Sequence, residues 1–201
     1  MLEYNIERDL NEKGYKYVCG VDEAGRGPLC GPVVAAACIL PEGLYIEGLN
    51  DSKKLSPKKR KAVFEQIKEN AIAYCIAEAS VEEINELNIL EADMLAMRRA
   101  VDGLQIKADF AIIDGNVSRG FSIPTMAVIK GDATSPSIAA ASILAKVTRD
   151  EMCEEMDKQY PEYGIAKHKG YGTKQHMDAL RKYGPAPIHR TKFIRFLDEE
   201  N

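Results

Sequence analysis

Uninterrupted apolar stretches alternate along this chain with stretches whose apolar positions recur every three to four residues. Residues 15–24, 71–79, 110–116 and 125–129 read as strands. Residues 29–40 (LCGPVVAAACIL) form another, close enough behind a Gly-Pro turn to pair antiparallel with the first, and residues 43–46 read as a third short strand. Ser56-Pro57 is a helix start, serine as cap and proline in the first turn, for a helix to about residue 70. Ser80-Val81-Glu82-Glu83 has the capping-box spacing of a short helix. Leu90, Met94, Met97, Val101 and Leu104 keep helical phase, so 90–104 is a helix whose methionines belong to a core. Ser135-Pro136 starts a long helix to about residue 160, and its Ala139-Ala140-Ala141-Ser142 run is small enough to lie close on a sheet. Residues 1–14 read as a short helix or arm, 161–172 as a loop, and 173–183 and 187–198 as helices. Strands first, then strands alternating with helices, give an α/β fold with a mixed sheet and helices on its faces. Residues 161–201 read as a helical appendage to a main domain of residues 1–160.

Composition narrows the class. With 45% hydrophobic and 29% charged residues the chain is built to bury one sizeable core. No window holds the apolar length of a membrane span, and the acidic N-terminus lacks a signal-peptide core. The five cysteines are odd in number and include no C-x-x-C, so free thiols in a reducing cytoplasm are expected. The net charge of −4 hides an asymmetry. Residues 71–97 carry acids and no Lys or Arg, whereas 52–61 and 167–195 are strongly basic, which suits a polyanionic partner.

Chemistry concentrates at Asp22-Glu23-Ala24-Gly25-Arg26-Gly27-Pro28. An adjacent acid pair alone means little, because 31 acids in 201 residues give about five such pairs by chance. This pair ends an apolar strand, as do Asp114 after Ile112-Ile113 and Asp132 after Val128-Ile129. Strand ends of an open α/β sheet converge on its ligand crevice. Converging carboxylates repel one another, and oxygen-only ligands favour Mg²⁺ or Mn²⁺. Neighbouring strand residues face opposite ways, so Asp22 and Glu23 share a site only where the strand ends or bulges. Lys167 and Lys169, beside Tyr171, are phosphate-contact candidates, and His189-Arg190 is another. His168, His176 and His189 stand isolated, without metal-ligand spacing.

These motifs, together with Asp51-Ser52-Lys53-Lys54-Leu55, Ala145-Lys146-Val147-Thr148-Arg149-Asp150 and Gly170-Tyr171-Gly172-Thr173, resemble in order and content the type 2 ribonucleases H. The resemblance implies an RNase H-like mixed five-stranded sheet with a C-terminal helical extension that binds substrate. It implies cleavage of RNA in RNA–DNA hybrids, and incision 5′ of single ribonucleotides in duplex DNA, leaving 5′-phosphate and 3′-hydroxyl. Asp22, Glu23, Asp114 and Asp132 would hold two divalent ions, with Asp150 as a neighbour. Gly25, Arg26 and Gly27 would contact the ribonucleotide, Tyr171 would stack on the next sugar, and Ser52, Lys53 and Lys54 would touch phosphates. A monomer is expected, and no C-terminal clamp-binding box is evident. Two other classes are weighed against this. A nucleotide-binding module would use Gly25-x-Gly27-x-x-x-Gly31, but the spacing is one residue too long and Pro28 with a strand follows. A catalytically silent hybrid-binding protein would not need all four carboxylates.

Overall fold

The computed structural model describes residues 2–49 and 55–199; Ser52, Lys53 and Lys54 lie outside the described residues. Helix α1 (Asn5–Glu12) leads into strands β1 (Val18–Ala24) and β2 (Val33–Ile39), helix α2 (Pro57–Asn70), strand β3 (Ala73–Ala79), and helices α3 (Val81–Leu87) and α4 (Ile89–Asp102). Strands β4 (Phe110–Asp114) and β5 (Thr125–Val128) follow, then the long helix α5 (Pro136–Gln159). The five strands form one sheet in the order β3-β2-β1-β4-β5. β1 pairs antiparallel with β2 and parallel with β4, so the sheet is mixed.

Two apolar layers cover the sheet. Val34, Ala36 and Cys38 of β2 pack with Val63, Phe64 and Ile67 of α2 and the alanines of α5. Val33, Ala35, Ala37 and Ile39 pack on the other face with Ala92, Met94, Met97 and Val101 of α4. That double coverage is why every residue of β2 is buried and why its sequence is apolar without alternation. Three helices are started as the sequence dictates: Ser56 Oγ accepts from Lys59 N–H (3.3 Å) at α2, Ser80 and Glu83 complete a capping box at α3, and Ser135 Oγ accepts from Ile138 N–H (3.1 Å) at α5.

Two expectations are corrected. Residues 43–46 are not a strand; Leu44 N–H bonds back to Pro41 O in a turn, and the place beside β2 is taken by β3. Residues 161–199 are more broken than one loop and two helices. They hold α6 (Ile165–His168), α7 (Lys174–Tyr183) and α8 (Phe196–Glu199), with 3-10 turns at Pro161–Tyr163 and Thr191–Phe193. Glycines at positive φ (Gly164, Gly170, Gly184) end and redirect these pieces.

This C-terminal segment has its own small core of Tyr163, Ile165, Ala179, Leu180 and Ile194, closed by Cys30 and Cys153. It is tied to the β1–β2 connection by backbone bonds: Leu29 N–H to Gly170 O, Gly31 N–H to Ile188 O and Arg190 N–H to Leu29 O, each 2.8 Å.

Candidate active site

A cleft of about 430 Å³ opens where β1 and β4 end. It is lined by Asp22, Glu23, Gly25, Arg26, Gly27 and Asp114, and by Ser142, Lys146, Arg149, Arg60 and Tyr171. The opposite facing of Asp22 and Glu23 is resolved without a bulge. Asp22 lies opposite Ala36, whose face is covered by α5; Glu23 lies opposite Ala35, whose face is covered by α4. The cleft wraps around the strand end, so both faces open into it. The chain leaves at Gly25, whose φ of +100° suits glycine. A side chain there would also meet Arg149 Nε at 2.0 Å.

Asp22 is 6% exposed and accepts Glu23 N–H on Oδ1 (2.7 Å). Burial first, then the neighbouring charges of Glu23 and Asp114, push its carboxyl well above the usual range, against a hydrogen bond from Ser142. Glu23 is raised as well, by burial, with Arg26 working the other way. Asp114 Oδ1 accepts Gly131 N–H (2.6 Å) from the 3-10 turn Gly131–Ala133. Asp132, half-buried in that turn, therefore sits one residue from the N–H that Asp114 accepts, although it is not among the residues lining the cleft. Asp150 is held by Lys146 (2.7 Å) and Arg60 (3.8 Å).

Tyr171 is half-exposed and packs beside Gly27, where an added Cβ would touch its ring at 3.3 Å. Lys167 is exposed, whereas Lys169 reaches Glu154 (3.2 Å) on α5. Arg190 is not a phosphate contact. It is fully buried, and its guanidinium donates only to backbone carbonyls. Nor are the histidines isolated: His176 and His189 are buried with Nε2 atoms 3.1 Å apart, and Cys30 completes a group whose potential ligand atoms lie within 4.8 Å of one another.

Asp93 is the residue that sequence reasoning missed. It is 0% exposed, its Oδ2 lies 3.4 Å from Arg26 Nε, and neither oxygen has a hydrogen-bond partner among the described residues. Arg26 also reaches Glu23 (3.5 Å), so one guanidinium bridges two acids. Burial, then the charge of Glu23, raises the Asp93 carboxyl to about 8. The signal was present: Asp93 lies three residues after Leu90 and four before Met97, on the apolar face of α4.

A mixed sheet whose strand ends gather oxygen-only acids, beside a glycine turn and a half-exposed tyrosine, defines an RNase H-like nuclease. The ribonuclease HII family model matches residues 19–196, and the chain belongs to that family. It is 56% identical over 187 residues to a ribonuclease HII of Desulfitobacterium hafniense, covering 93% of this chain and 72% of that one. A ribonuclease HII of Burkholderia thailandensis is 58% identical over 176 residues, 88% of this chain and 82% of its own. Among solved structures, the ribonuclease H2 of Pyrococcus horikoshii superposes with a TM-score of 0.76 at 30% identity, covering 92% of this chain and 98% of that one. The chain is accordingly a ribonuclease H, a hydrolytic endonuclease of a divalent-metal-dependent family.

Proposed function

We propose that this protein cleaves the RNA strand of RNA–DNA hybrids and incises 5′ of single ribonucleotides embedded in duplex DNA, leaving 5′-phosphate and 3′-hydroxyl ends. The observation that carries the reading is the gathering of Asp22, Glu23 and Asp114 in one cleft, with Gly25, Arg26, Gly27 and Tyr171 on its wall.

The donor set suits a divalent metal. Asp22, Glu23 and Asp114 offer only oxygen, the set that suits Mg²⁺ or Mn²⁺. Burial first, and then the neighbouring acids, raise the carboxyls of Asp22 and Glu23, and a cation bound between them would offset both. Asp22, Glu23, Asp114 and Asp132 would hold two ions, with Asp150 beside them. Bound there, the pair would activate water and stabilise the leaving oxygen of an in-line displacement. The chain's own groups do the rest. The Gly25-Arg26-Gly27 backbone lets a sugar approach without side-chain bulk and offers N–H donors to the 2′-hydroxyl, the group that distinguishes RNA from DNA at one position. Tyr171 supplies a flat face for the adjoining sugar. Lys146 and Arg60 on the wall, with Lys167, Lys169 and the basic Ser52-Lys53-Lys54 stretch, attract the phosphate backbone. On this reading residues 161–201 are a substrate-binding extension of a 1–160 catalytic domain, and the enzyme works as a monomer in the cytoplasm. The five free thiols and the absence, among the described residues, of a helix able to cross a membrane suit that placement.

Asp22→Asn tests the reading. Cleavage of a duplex carrying one ribonucleotide should fall by at least about a thousandfold, the scale of removing a group that acts on the transition state, while binding to that duplex persists. Undiminished cutting by the variant would refute the assignment.

A further inference from the structure

We infer that Arg190 is a positioning residue that sets the preference for a ribonucleotide, by turning the backbone of the Gly25-Arg26-Gly27 turn so that its N–H groups face the cleft. The inference rests on the function proposed above.

Arg190 is fully buried, and no carboxylate is paired with it among the described residues. A guanidinium has five N–H donors in a fixed fork. All five are spent on one loop: Nε donates to Gly31 O (2.9 Å), Nη1 to Arg26 O (3.0 Å) and Pro28 O (2.9 Å), and Nη2 to Gly25 O (2.7 Å) and Pro32 O (3.1 Å). Arg149 adds Cys30 O (3.2 Å) and Pro32 O (3.3 Å) from the neighbouring side. Six of the eight carbonyls from residue 25 to residue 32, those of Gly27 and Leu29 excepted, are thus drawn towards two buried cations.

The consequence follows from peptide geometry. In a planar trans peptide the carbonyl of one residue and the N–H of the next point in opposite directions. With the Gly25 and Arg26 carbonyls pulled inward, the N–H groups of Arg26 and Gly27 point outward. Neither donates to another described residue, and both residues line the cleft beside Tyr171. They form a donor pair backed by positive charge, suited to an oxygen acceptor. A loop on the surface could hydrate its carbonyls at little cost. Burying an unpaired guanidinium instead is expensive; it holds Arg190 down to about 10, through burial and the like charge of Arg149. The arrangement makes sense if the orientation of the turn matters to recognition. A 2′-hydroxyl can accept from this pair, and a deoxyribose leaves it unmet.

Arg190→Lys is the informative variant, because an ammonium keeps the charge but cannot hold five carbonyls in a plane. Affinities for a duplex with one ribonucleotide and for the same duplex in all-DNA form are measured with Ca²⁺ at a temperature where the variant is folded. The variant should lose about tenfold or more of the ribonucleotide preference, the scale of one or two misplaced hydrogen bonds, while all-DNA affinity moves less than about twofold because phosphate contacts carry it. A merely structural role would weaken both duplexes alike. An unchanged preference overturns the inference. If the variant does not fold, amide NMR of the wild type decides: Arg26 and Gly27 resonances should move on adding the ribonucleotide duplex and not the all-DNA duplex, and unmoved amides overturn the inference. A wild type that neither prefers nor cuts the ribonucleotide duplex would instead sink the underlying function.

Discussion

Gly20 controls how close α5 can come to β1. A Cβ at that position would lie 2.1 Å from the Ser137 carbonyl carbon and 2.2 Å from Ile138 N, both backbone atoms at the start of the helix. Neither can yield as a side chain would, so Gly20→Ala must push α5 off the sheet. Its cost should reach about 3 kcal/mol or more, the upper part of the range for overpacking, read as a lowered urea midpoint. Activity should fall further than stability, because Ser142, Lys146 and Arg149 ride on the same helix. The sequence showed the small residues of α5 but not that a glycine in β1 makes room for the backbone of that helix's first turn. A glycine inside an apolar strand reads equally as a weak point or a bulge. The same limit hid Arg190. A charged residue after His189 in a basic tail looks like a phosphate contact, and only the three-dimensional path of residues 25–32 turns it inward.

Among the elements, those with strong local signals were legible and those defined by neighbours were not. Serine caps with proline in the first turn marked the starts of α2 and α5, and the capping box marked α3, because these signals act within one turn. Residues 43–46 carry a strand-like pattern, but strand formation needs a partner edge and β3 occupies it. Of the candidate site, the carboxylates at the ends of β1 and β4 were readable because an apolar run ending in an acid is a local pattern; Asp93's link to Arg26 joins α4 to the turn after β1 and is not. Helix α1 is the element whose role sequence left open. Glu7, 5% exposed, reaches from it to the N-terminus of α5, accepting from Ser135 Oγ (2.6 Å) and Ser137 N–H (3.2 Å). A carboxylate there satisfies orphan donors and complements the helix dipole. Glu7→Ala should therefore cost about 1–2 kcal/mol, as loss of a helix cap does. Hydrogen exchange should show the first turn of α5 losing protection; unchanged exchange there would remove α1 from the stabilising contacts.

At the scale of the molecule, the question is what keeps the C-terminal segment against the β1–β2 connection, since Tyr171 and Arg190 both depend on it. His176 and His189 sit at that junction. His176 Nδ1 contacts Tyr171 O (3.1 Å), which fixes its proton there and leaves Nε2 as an acceptor. His189 Nε2 then donates across 3.1 Å, which in the neutral ring leaves Nδ1 to accept Ala186 N–H (3.0 Å), with Ala186 O also near it (3.2 Å). With both rings neutral every contact in this chain has a donor and an acceptor. Burial, the largest cause, lowers both, and takes His189 from 6.5 to about 4; the Cys30 thiol nearby is pushed up to about 12 by burial and stays protonated. The direction of the linkage follows. The unfolded chain takes up a proton near pH 6.5 that folded His189 refuses until about 4, so its contribution to stability is complete above the unfolded value and is lost as pH falls through that window. Between pH 7.5 and 4.5 the wild type should lose stability that His189→Gln does not lose, on the order of 2 kcal/mol. Taking the difference between the two proteins in urea titrations at each pH cancels the carboxylates that titrate in the same range. An equal slope for both would mean that the histidine pair does not carry the acid sensitivity of this junction. A smaller slope for the variant, with ribonucleotide preference retained at neutral pH, would separate docking of the segment from the recognition that Arg190 serves.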